Sequence, residues 1–217
     1  TQQNEKPTEE HWEKVQQVLS YLRSSTNVQI KYGGEKKEPS YGTRGFTDSS
    51  WADNVEDRKS TAANLHMMNG GPIVWRMWKE QVVATGVMEA EIYALMEIVK
   101  TEIWLRRLIR ELLGERGEKE RGMLYCDNLR TVKMVHDPHS EHKRSKHIDI
   151  KYHRIKDEIG EGGVNLQWVR GTENLANIMT KPLARPQFER ERSWILRGGE
   201  DDRRKERGSI SVVTMSC

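Results

Sequence analysis

A short strand is predicted at Gly45-Phe46-Thr47-Asp48, and two further strands follow it along the chain. Residues 61–68 form a weaker second strand. Asn69-Gly70-Gly71 is a turn signal, and a third strand begins at residues 72–75, Pro-Ile-Val-Trp. Because tight turns join these neighbouring strands, their order predicts an antiparallel meander.

A long amphipathic helix is the clearest element after the meander. Between residues 89 and 113 apolar side chains recur along one broad face, and Gly114 then gives a stop signal. A fourth strand is predicted at residues 123–126, directly before Asp127-Asn128. The other predicted elements are a short helix at 129–135, an amphipathic helix through 148–159, a fifth strand at 164–169 and a short helix at 173–180. The order β-β-β-α-β-α-α-β-α indicates the α/β class.

The segments on either side of this core have a different composition. Residues 8–23 place apolar side chains such as Trp12 and Leu19 at helical spacing, which predicts one amphipathic helix, and residues 24–42 are typical of a boundary. The stretch 185–207 holds eight basic and six acidic residues and few apolar ones, so we interpret it as a solvated tail. The predicted division of the chain is 1–42, 43–190 and 191–217, the last segment being a charged, flexible tail.

Composition excludes several classes of protein. The 217 residues include 36 Lys and Arg against 33 Asp and Glu, a net charge of +3, and the mean hydropathy is −0.84. A membrane span needs about 20 consecutive apolar residues, and the sequence has no such stretch. Two cysteines, Cys126 and Cys217, cannot form a disulfide scaffold or a zinc cluster, which favours a reducing, intracellular setting. The polar first residues do not resemble a secretory signal, and the missing initial Met is typical of a piece of a longer protein.

Three acids lie where a catalytic site would use them. Asp48 is in the first strand, Glu91 begins the long helix and Asp127 follows the fourth strand. If strands one and four are neighbours, these carboxylates converge, and such a cluster is unfavourable unless a cation neutralises it. Oxygen ligands favour Mg²⁺ or Mn²⁺, and two ions roughly 4 Å apart can promote phosphodiester hydrolysis. Each acid alone has an ordinary explanation, as a turn residue or a helix-start residue, so the prediction depends on their combination.

The acids also lie within blocks of sequence that keep a fixed order and spacing from about residue 43 to 190. These blocks are residues 45–52, 57–61, 89–95, 104–108, 124–128, 145–153, 175–176 and 180–183. Together they resemble the ribonuclease H domain at the C-terminal end of copia-type retrotransposon polyproteins. Residues 8–23 are similar to the segment that joins the reverse transcriptase to this domain, so 1–42 would be a connection segment.

The resemblance implies a ribonuclease H-like, five-stranded mixed sheet, with the first three strands antiparallel, flanked by helices. It implies a metal-dependent endonuclease that hydrolyses the RNA strand of RNA–DNA hybrids during retrotransposon reverse transcription. The implied cofactor is Mg²⁺ or Mn²⁺, with two ions expected. The implied partners are the RNA–DNA hybrid and the upstream reverse transcriptase of the same polyprotein, in the cytoplasm, a virus-like particle or the nucleus.

The family's catalytic carboxylates can be placed residue by residue. The first three, which would bind metal, fall on Asp48, Glu91 and Asp127, with Glu89 as the alternative for the second. The fourth falls on Asn177. An amide is neutral and offers one oxygen instead of two, so one metal should bind more weakly. Glu173, one helical turn earlier, is an alternative carboxylate.

Residues 142–156 are strongly basic, with six Lys or Arg and one acid. They are interpreted as a phosphate-binding face or, alternatively, as a solvated helix face, and the resemblance favours nucleic acid. The candidate contacts are Lys143, Arg144, Lys146, His147 and Lys151. Five of the seven histidines lie between residues 136 and 153, but their spacing fits no zinc-finger pattern, so a zinc site is not expected.

Two functions therefore compete. The first is an endonuclease on RNA–DNA hybrids, in which Asp48, Glu91 and Asp127 hold the metals. The second is a catalytically impaired retroelement remnant that binds nucleic acid without turnover, which Asn177 and scattered departures such as Gly86-Val87-Met88 favour. A transposase or integrase nuclease shares the acidic chemistry but lacks support in these blocks.

Overall fold

The structure, a computed structural model, describes residues 7–33, 41–54, 57–114, 122–137 and 146–196. The strands are β1 Thr43–Ser50, β2 Thr61–Met68, β3 Gly71–Lys79, β4 Met123–Cys126 and β5 Asn165–Trp168. The helices are α1 Glu9–Ser24, α2 Val87–Leu113, α3 Leu129–His136, α4 Lys146–Gly160, α5 Asn177–Thr180 and α6 Arg185–Ile195, with a 3₁₀ turn at Gly171–Glu173.

The five strands form one mixed sheet in the order β3-β2-β1-β4-β5. The pairs β1–β2 and β2–β3 are antiparallel, whereas β1–β4 and β4–β5 are parallel. Asn69 and Gly70 both have positive φ, of 49° and 83°, which is the geometry of a two-residue hairpin turn between β2 and β3. The predicted five-stranded mixed sheet, with its antiparallel meander first, is confirmed.

Helix α2 packs across one face of the sheet. Its buried apolar side chains include Ile92, Leu95 and Ile98, which join residues of β4, β5, α3 and α4 in one core cluster. Gly45 allows this close approach, because a Cβ there would lie 2.4 Å from Leu124 Cδ2 and 2.9 Å from Ile98 Cδ1. The glycine of the first predicted strand is therefore a packing requirement.

Helix α6 covers part of the opposite face. Trp194 and Ile195 pack against a second cluster that includes Phe46 and Tyr125, whose rings stack at 5.0 Å. The Glu191 side chain is fully buried, and Gln187 Nε2 donates to Glu191 Oε1 at 2.7 Å.

This helix corrects the prediction of a solvated tail from residue 185, and it continues across the predicted boundary at 190. Charged residues dominate the composition of this stretch, so its composition does not indicate the few apolar residues, Trp194 and Ile195, that pack the helix against the sheet. Residues 197–217 lie outside the described residues.

Helix α1 forms as predicted, but its apolar stripe is not buried. Thr8 caps the helix, accepting from His11 N, while Thr8 N donates to His11 Nδ1 at 3.0 Å. The helix contacts α6 through Tyr21, which meets the Phe188 ring edge-on at 5.8 Å. Exposed side chains on α1 are Trp12, Val15, Val18, Leu19 and Leu22. None of the described helices is long and apolar enough to cross a membrane.

A buried polar cluster ties α2 to the start of β1. Thr43 Oγ1 donates to the Glu102 carboxylate, 2.6 Å from Oε1 and 2.8 Å from Oε2, and His66 Nε2 lies 3.4 Å from Oε2. A Cβ on Gly122 would lie only 1.7 Å from Glu102 Oε1, so the β4 end of this cluster requires glycine. We refer to Thr43, His66 and Glu102 as the Glu102 cluster.

Candidate active site

Parallel pairing of β1 and β4 brings the predicted acids to one end of the sheet. Thr47 lies opposite Cys126, so Asp48 and Asp127 follow at the same end of neighbouring strands. Glu91, in the first turns of α2, reaches the same place and interacts electrostatically with both aspartates. We refer to Asp48, Glu91 and Asp127 as the acidic cluster.

Within this cluster, Glu91 and Asp127 lie close enough together to bind one metal ion. Oxygens of these two carboxylates and the sulfur of Cys126 all lie within 4.8 Å of one another. Cys126 Sγ lies 3.7 Å from Glu91 Oε2, to which the thiol donates a weak hydrogen bond. Burial, followed by the charge of Glu91, raises the pKa of the Cys126 thiol well above its ordinary value. The sulfur therefore stays a neutral thiol, and oxygen atoms remain the ligands available to a hard cation.

The electrostatics of the acidic cluster are unfavourable without a cation. Burial, followed by the charges of Asp48 and Asp127, raises the pKa of Glu91 to about 8. Burial and the charge of Asp48 also raise the pKa of Asp127. A divalent cation would relieve both effects, and the oxygen donors are those that Mg²⁺ or Mn²⁺ prefers. The residues present therefore fit such an ion.

Helix α5 supplies partners for Asp48. Lys181 Nζ donates to Asp48 Oδ1 at 2.8 Å, and Thr180 Oγ1 donates to Asp48 Oδ2. Lys181 Nζ also donates to Asn177 Oδ1 at 2.9 Å, while Asn177 Nδ2 donates to the Gly171 carbonyl oxygen. The sequence predicts no role for Thr180 and Lys181, although both lie in the matching block 180–183. The spacing of four residues between Asn177 and Lys181 was the available signal.

The loop before α5 is anchored to the central strand. Asn174 is fully buried, and its Nδ2 donates to the Thr47 carbonyl oxygen at 2.9 Å. Its Oδ1 accepts from Ala176 N at 3.2 Å, which fixes the turn that leads into α5. Trp168 Nε1 donates to the Asp127 carbonyl oxygen at 3.0 Å. Sequence reasoning missed Asn174, which carries Asn177 and Lys181 to the acidic cluster.

The two alternative acids have other surroundings. Glu89 Oε2 accepts from Thr85 N at 2.7 Å and from Thr85 Oγ1 at 2.6 Å, and its Oε1 accepts from Tyr93 OH at 2.9 Å. Glu89 therefore stabilises the start of α2. Glu173 ends the 3₁₀ turn, and its Oε2 is buried without a hydrogen-bond partner among the described residues.

The predicted phosphate-binding face is only partly described. Lys143 and Arg144 lie outside the described residues, and Lys146 and His147 begin α4 with side chains that also lie outside them. Lys151 Nζ lies 3.8 Å from the centre of the Tyr93 ring, so this ammonium packs on α2. Its burial lowers the pKa of Lys151. The assignment of these five residues to nucleic-acid binding stays a prediction.

Comparison with known proteins identifies relatives for most of the chain. It is 34% identical over 185 residues, 85% of its length, to the retrovirus-related Pol polyprotein from transposon TNT 1-94 of Nicotiana tabacum. It is 31% identical over 84% of its length to the Pol polyprotein from transposon RE1 of Arabidopsis thaliana. The chain spans only 13% and 12% of these two relatives. No protein-family model matches it.

Solved structures give looser matches. A foamy viral protease-reverse transcriptase in complex with RNA/DNA hybrid matches with a TM-score of 0.46 at 14% identity, covering 73% of this chain and 22% of that one. LC11-RNase H1 in complex with RNA/DNA hybrid matches with a TM-score of 0.44 at 11% identity, covering 61% and 88%. The strand order and the sequence relatives decide the assignment: the chain has a ribonuclease H fold and belongs with the copia-type, retrovirus-related Pol polyproteins of plant transposons.

Proposed function

We propose that this chain is a metal-dependent endonuclease that hydrolyses the RNA strand of RNA–DNA hybrids during retrotransposon reverse transcription. The observation that carries the proposal is the acidic cluster, in which Asp48, Glu91 and Asp127 converge at one end of the β1–β4 pair. Homology to retrotransposon Pol polyproteins supports the choice of substrate.

Asp48, Glu91 and Asp127 are the residues that would hold Mg²⁺ or Mn²⁺. When bound, such an ion supplies the positive charge that activates water and stabilises the leaving oxygen of a phosphodiester. Thr180 fixes the orientation of the Asp48 carboxylate. Because the pKa of Glu91 is about 8 in the metal-free chain, Glu91 must release its proton when it becomes a ligand. Metal affinity should therefore increase as the pH rises towards 8.

The substrate would be recognised through its backbone. An A-like duplex is read mainly by shape and by contacts to phosphate and 2′-hydroxyl groups, so little sequence preference is expected. Lys143, Arg144, Lys146, His147 and Lys151 are proposed contacts. Lys151 is the one of the five whose side chain the structure describes, and its ammonium packs on the Tyr93 ring.

The proposed setting is a longer polyprotein. Residues 1–42 would connect an upstream reverse transcriptase to the nuclease, 43–190 would form the nuclease and 191–217 a charged tail, although α6 crosses the last boundary. The exposed apolar stripe of α1 supports a connection segment that meets another domain. We place the polyprotein inside the cell, in the cytoplasm, a virus-like particle or the nucleus.

A specific observation favours a second function. Asn177 is buried beside the acidic cluster and brings no charge to it, as expected for a remnant that binds nucleic acid without turnover. The two functions predict the same hybrid binding and differ in cleavage.

Cleavage of an end-labelled RNA–DNA hybrid in Mg²⁺ and then in Mn²⁺ separates the two. The proposed enzyme cleaves, and Asp127→Asn reduces the rate by about 100-fold or more, since even groups that only support a metal ligand contribute 10- to 100-fold. Glu97→Gln, an acid on α2 paired with Lys100, is the control and should cleave normally. A folded chain that binds hybrid in EDTA but never cleaves it supports the remnant. Equal cleavage by Asp127→Asn rejects the proposed mechanism.

A further inference from the structure

A lysine ammonium lies inside the candidate site. Lys181 Nζ bridges Asp48 Oδ1, at 2.8 Å, and Asn177 Oδ1, at 2.9 Å. The Asp48 side chain is only 1% exposed, whereas the Lys181 side chain is 40% exposed and reaches in from the rim. Both Asp48 oxygens therefore already have partners, Lys181 on one side and Thr180 on the other.

The charges of the site balance for one divalent ion. Once Glu91 has released its proton to become a ligand, the three carboxylates contribute a formal charge of −3 and the Lys181 ammonium contributes +1, which leaves −2. A fourth carboxylate in place of Asn177 would leave −3. Atoms of Glu91, Cys126 and Asp127 lie within 4.8 Å of one another, close enough to share one ion, whereas the direct contact of Lys181 is with Asp48.

Both ends of the Asn177 amide make hydrogen bonds, and one of them holds Lys181. Its Oδ1 accepts from Lys181 Nζ, and its Nδ2 donates to the Gly171 carbonyl oxygen. An ionised Asp could accept from the ammonium but could not donate to the carbonyl, and the two oxygens would repel each other. The neutral residue at this position is therefore part of an organised contact and not merely a lost ligand.

We propose that Lys181 is a built-in cation that replaces one of the two expected metal ions, so that the site binds a single divalent ion. This inference rests on the proposed function and changes its metal stoichiometry. Lys181 pairs with Asp48 and positions its carboxylate, and Asn177 holds the ammonium in place. A single ion then needs only Glu91 and Asp127, the carboxylates that do not accept a hydrogen bond from Lys181.

Titration calorimetry with Mn²⁺ tests the proposal on the full chain without any substrate. The wild type should bind one Mn²⁺. Lys181→Met removes the charge but keeps the length of the side chain, and it should show a second binding event. Lys181→Arg should retain one. Lys100→Met, which removes a lysine paired with Glu97 on the surface of α2, is the matched control and should behave as the wild type.

Thermal stability gives a second readout. In EDTA, Lys181→Met should melt at a lower temperature than the wild type because Asp48 loses its charge partner. Added Mn²⁺ should raise its melting temperature by more than it raises that of the wild type. Circular dichroism of each metal-free variant confirms that it is folded.

The outcomes separate this inference from the proposed function. Two Mn²⁺ ions in the wild type, or one in Lys181→Met, overturn the role of Lys181 while hybrid cleavage can still support the enzyme. No Mn²⁺ binding by any variant overturns the metal-dependent function and the inference together. One ion in the wild type and two in Lys181→Met support both.

Discussion

Helix α2 carries two buried glutamates, eleven residues apart, with opposite surroundings. Glu102 is fully buried and accepts two hydrogen-bond contacts from Thr43, with His66 Nε2 3.4 Å away. Glu91 is 3% exposed, and its neighbours include a thiol at 3.7 Å and the carboxylates Asp48 and Asp127. Burial is nearly the same at both positions, so the two glutamates differ in the groups that surround their carboxylates.

The contrast separates a structural acid from one poised to bind a cation. The Glu102 cluster supplies donors of its own, so this carboxylate stabilises the junction of α2, β1 and β2. Glu91 faces other acids, and burial, followed by the charges of Asp48 and Asp127, raises its pKa to about 8. The Glu102 carboxylate has its partners within the protein, whereas the acidic cluster would be stabilised by a bound cation.

Removing the structural acid should have the largest effect on stability. Glu102→Ala leaves the Thr43 hydroxyl and the His66 ring without their buried partner and opens a cavity. We expect a loss of about 4 kcal/mol in the free energy of unfolding, measured by urea denaturation. Mn²⁺ affinity per folded molecule should stay unchanged. A loss below about 1 kcal/mol would mean that the cluster is not structural.

Replacing Glu91 should have the opposite effects: a large loss of cleavage and no loss of stability. Glu91→Gln should lower hybrid cleavage by about 100-fold, or about 2.7 kcal/mol, because a proposed metal ligand loses its charge. Its stability in EDTA should equal or exceed that of the wild type, since a neutral Gln needs no proton to be buried beside Asp48 and Asp127. Glu97→Gln, on the same helix and paired with Lys100, is the control. Destabilisation by Glu91→Gln would contradict the contrast.

The pH dependence of stability should differ between these variants. The folded pKa of Glu91, about 8, lies above its ordinary value of 4.5, so folding favours the protonated form. Stability in EDTA should therefore fall as the pH rises from about 4.5 to about 8, by about 1.4 kcal/mol per pH unit. From pH 6 to 7.5 the wild type should lose about 2 kcal/mol more than Glu91→Gln. Parallel curves for the two proteins would reject this assignment.

The smallest expected effect on stability is that of a substitution at Gly122, which lies against the Glu102 carboxylate. Gly122→Ala places a Cβ 1.7 Å from Glu102 Oε1, so either the strand or the carboxylate must shift. We expect a loss of about 1.5 kcal/mol in unfolding free energy. Gly160→Ala is the matched control, because nothing lies within 4 Å of the added Cβ. Equal stability of the two variants would show that Glu102 can move freely.

Much of the fold could be predicted from local signals. Asn69-Gly70 specifies a hairpin turn, and the period of α2 specifies its buried face, so the meander and the long helix follow from short-range chemistry. The convergence of Asp48 with Asp127 followed from the expected pairing of β1 with β4. The hairpin and the helix depend on patterns that a few neighbouring residues express, whereas the convergence of the two aspartates depends on strand pairing.

What the sequence did not reveal depends on tertiary contacts. Nothing in the local pattern shows that Lys181 turns towards Asp48, because that contact requires the loop anchored by Asn174. Glu102 is an acid within a helix whose buried partners come from two strands. The charges of α6 concealed the apolar contacts of Trp194. In each case the role of a side chain is defined by a partner that is distant in the sequence.

The contact between Thr180 and Asp48 also has a consequence for the order of folding. These residues are 132 positions apart, whereas the β1–β3 meander pairs residues joined by short turns. Closing a long loop costs more entropy than closing a hairpin, so the meander can form on a growing chain well before α5 exists. During synthesis, the nascent chain therefore carries Asp48 without its lysine and threonine partners until nearly the whole domain has emerged from the ribosome. The contacts of Asp48 with Thr180 and Lys181 therefore form late, after the three acids of the cluster have all been synthesised.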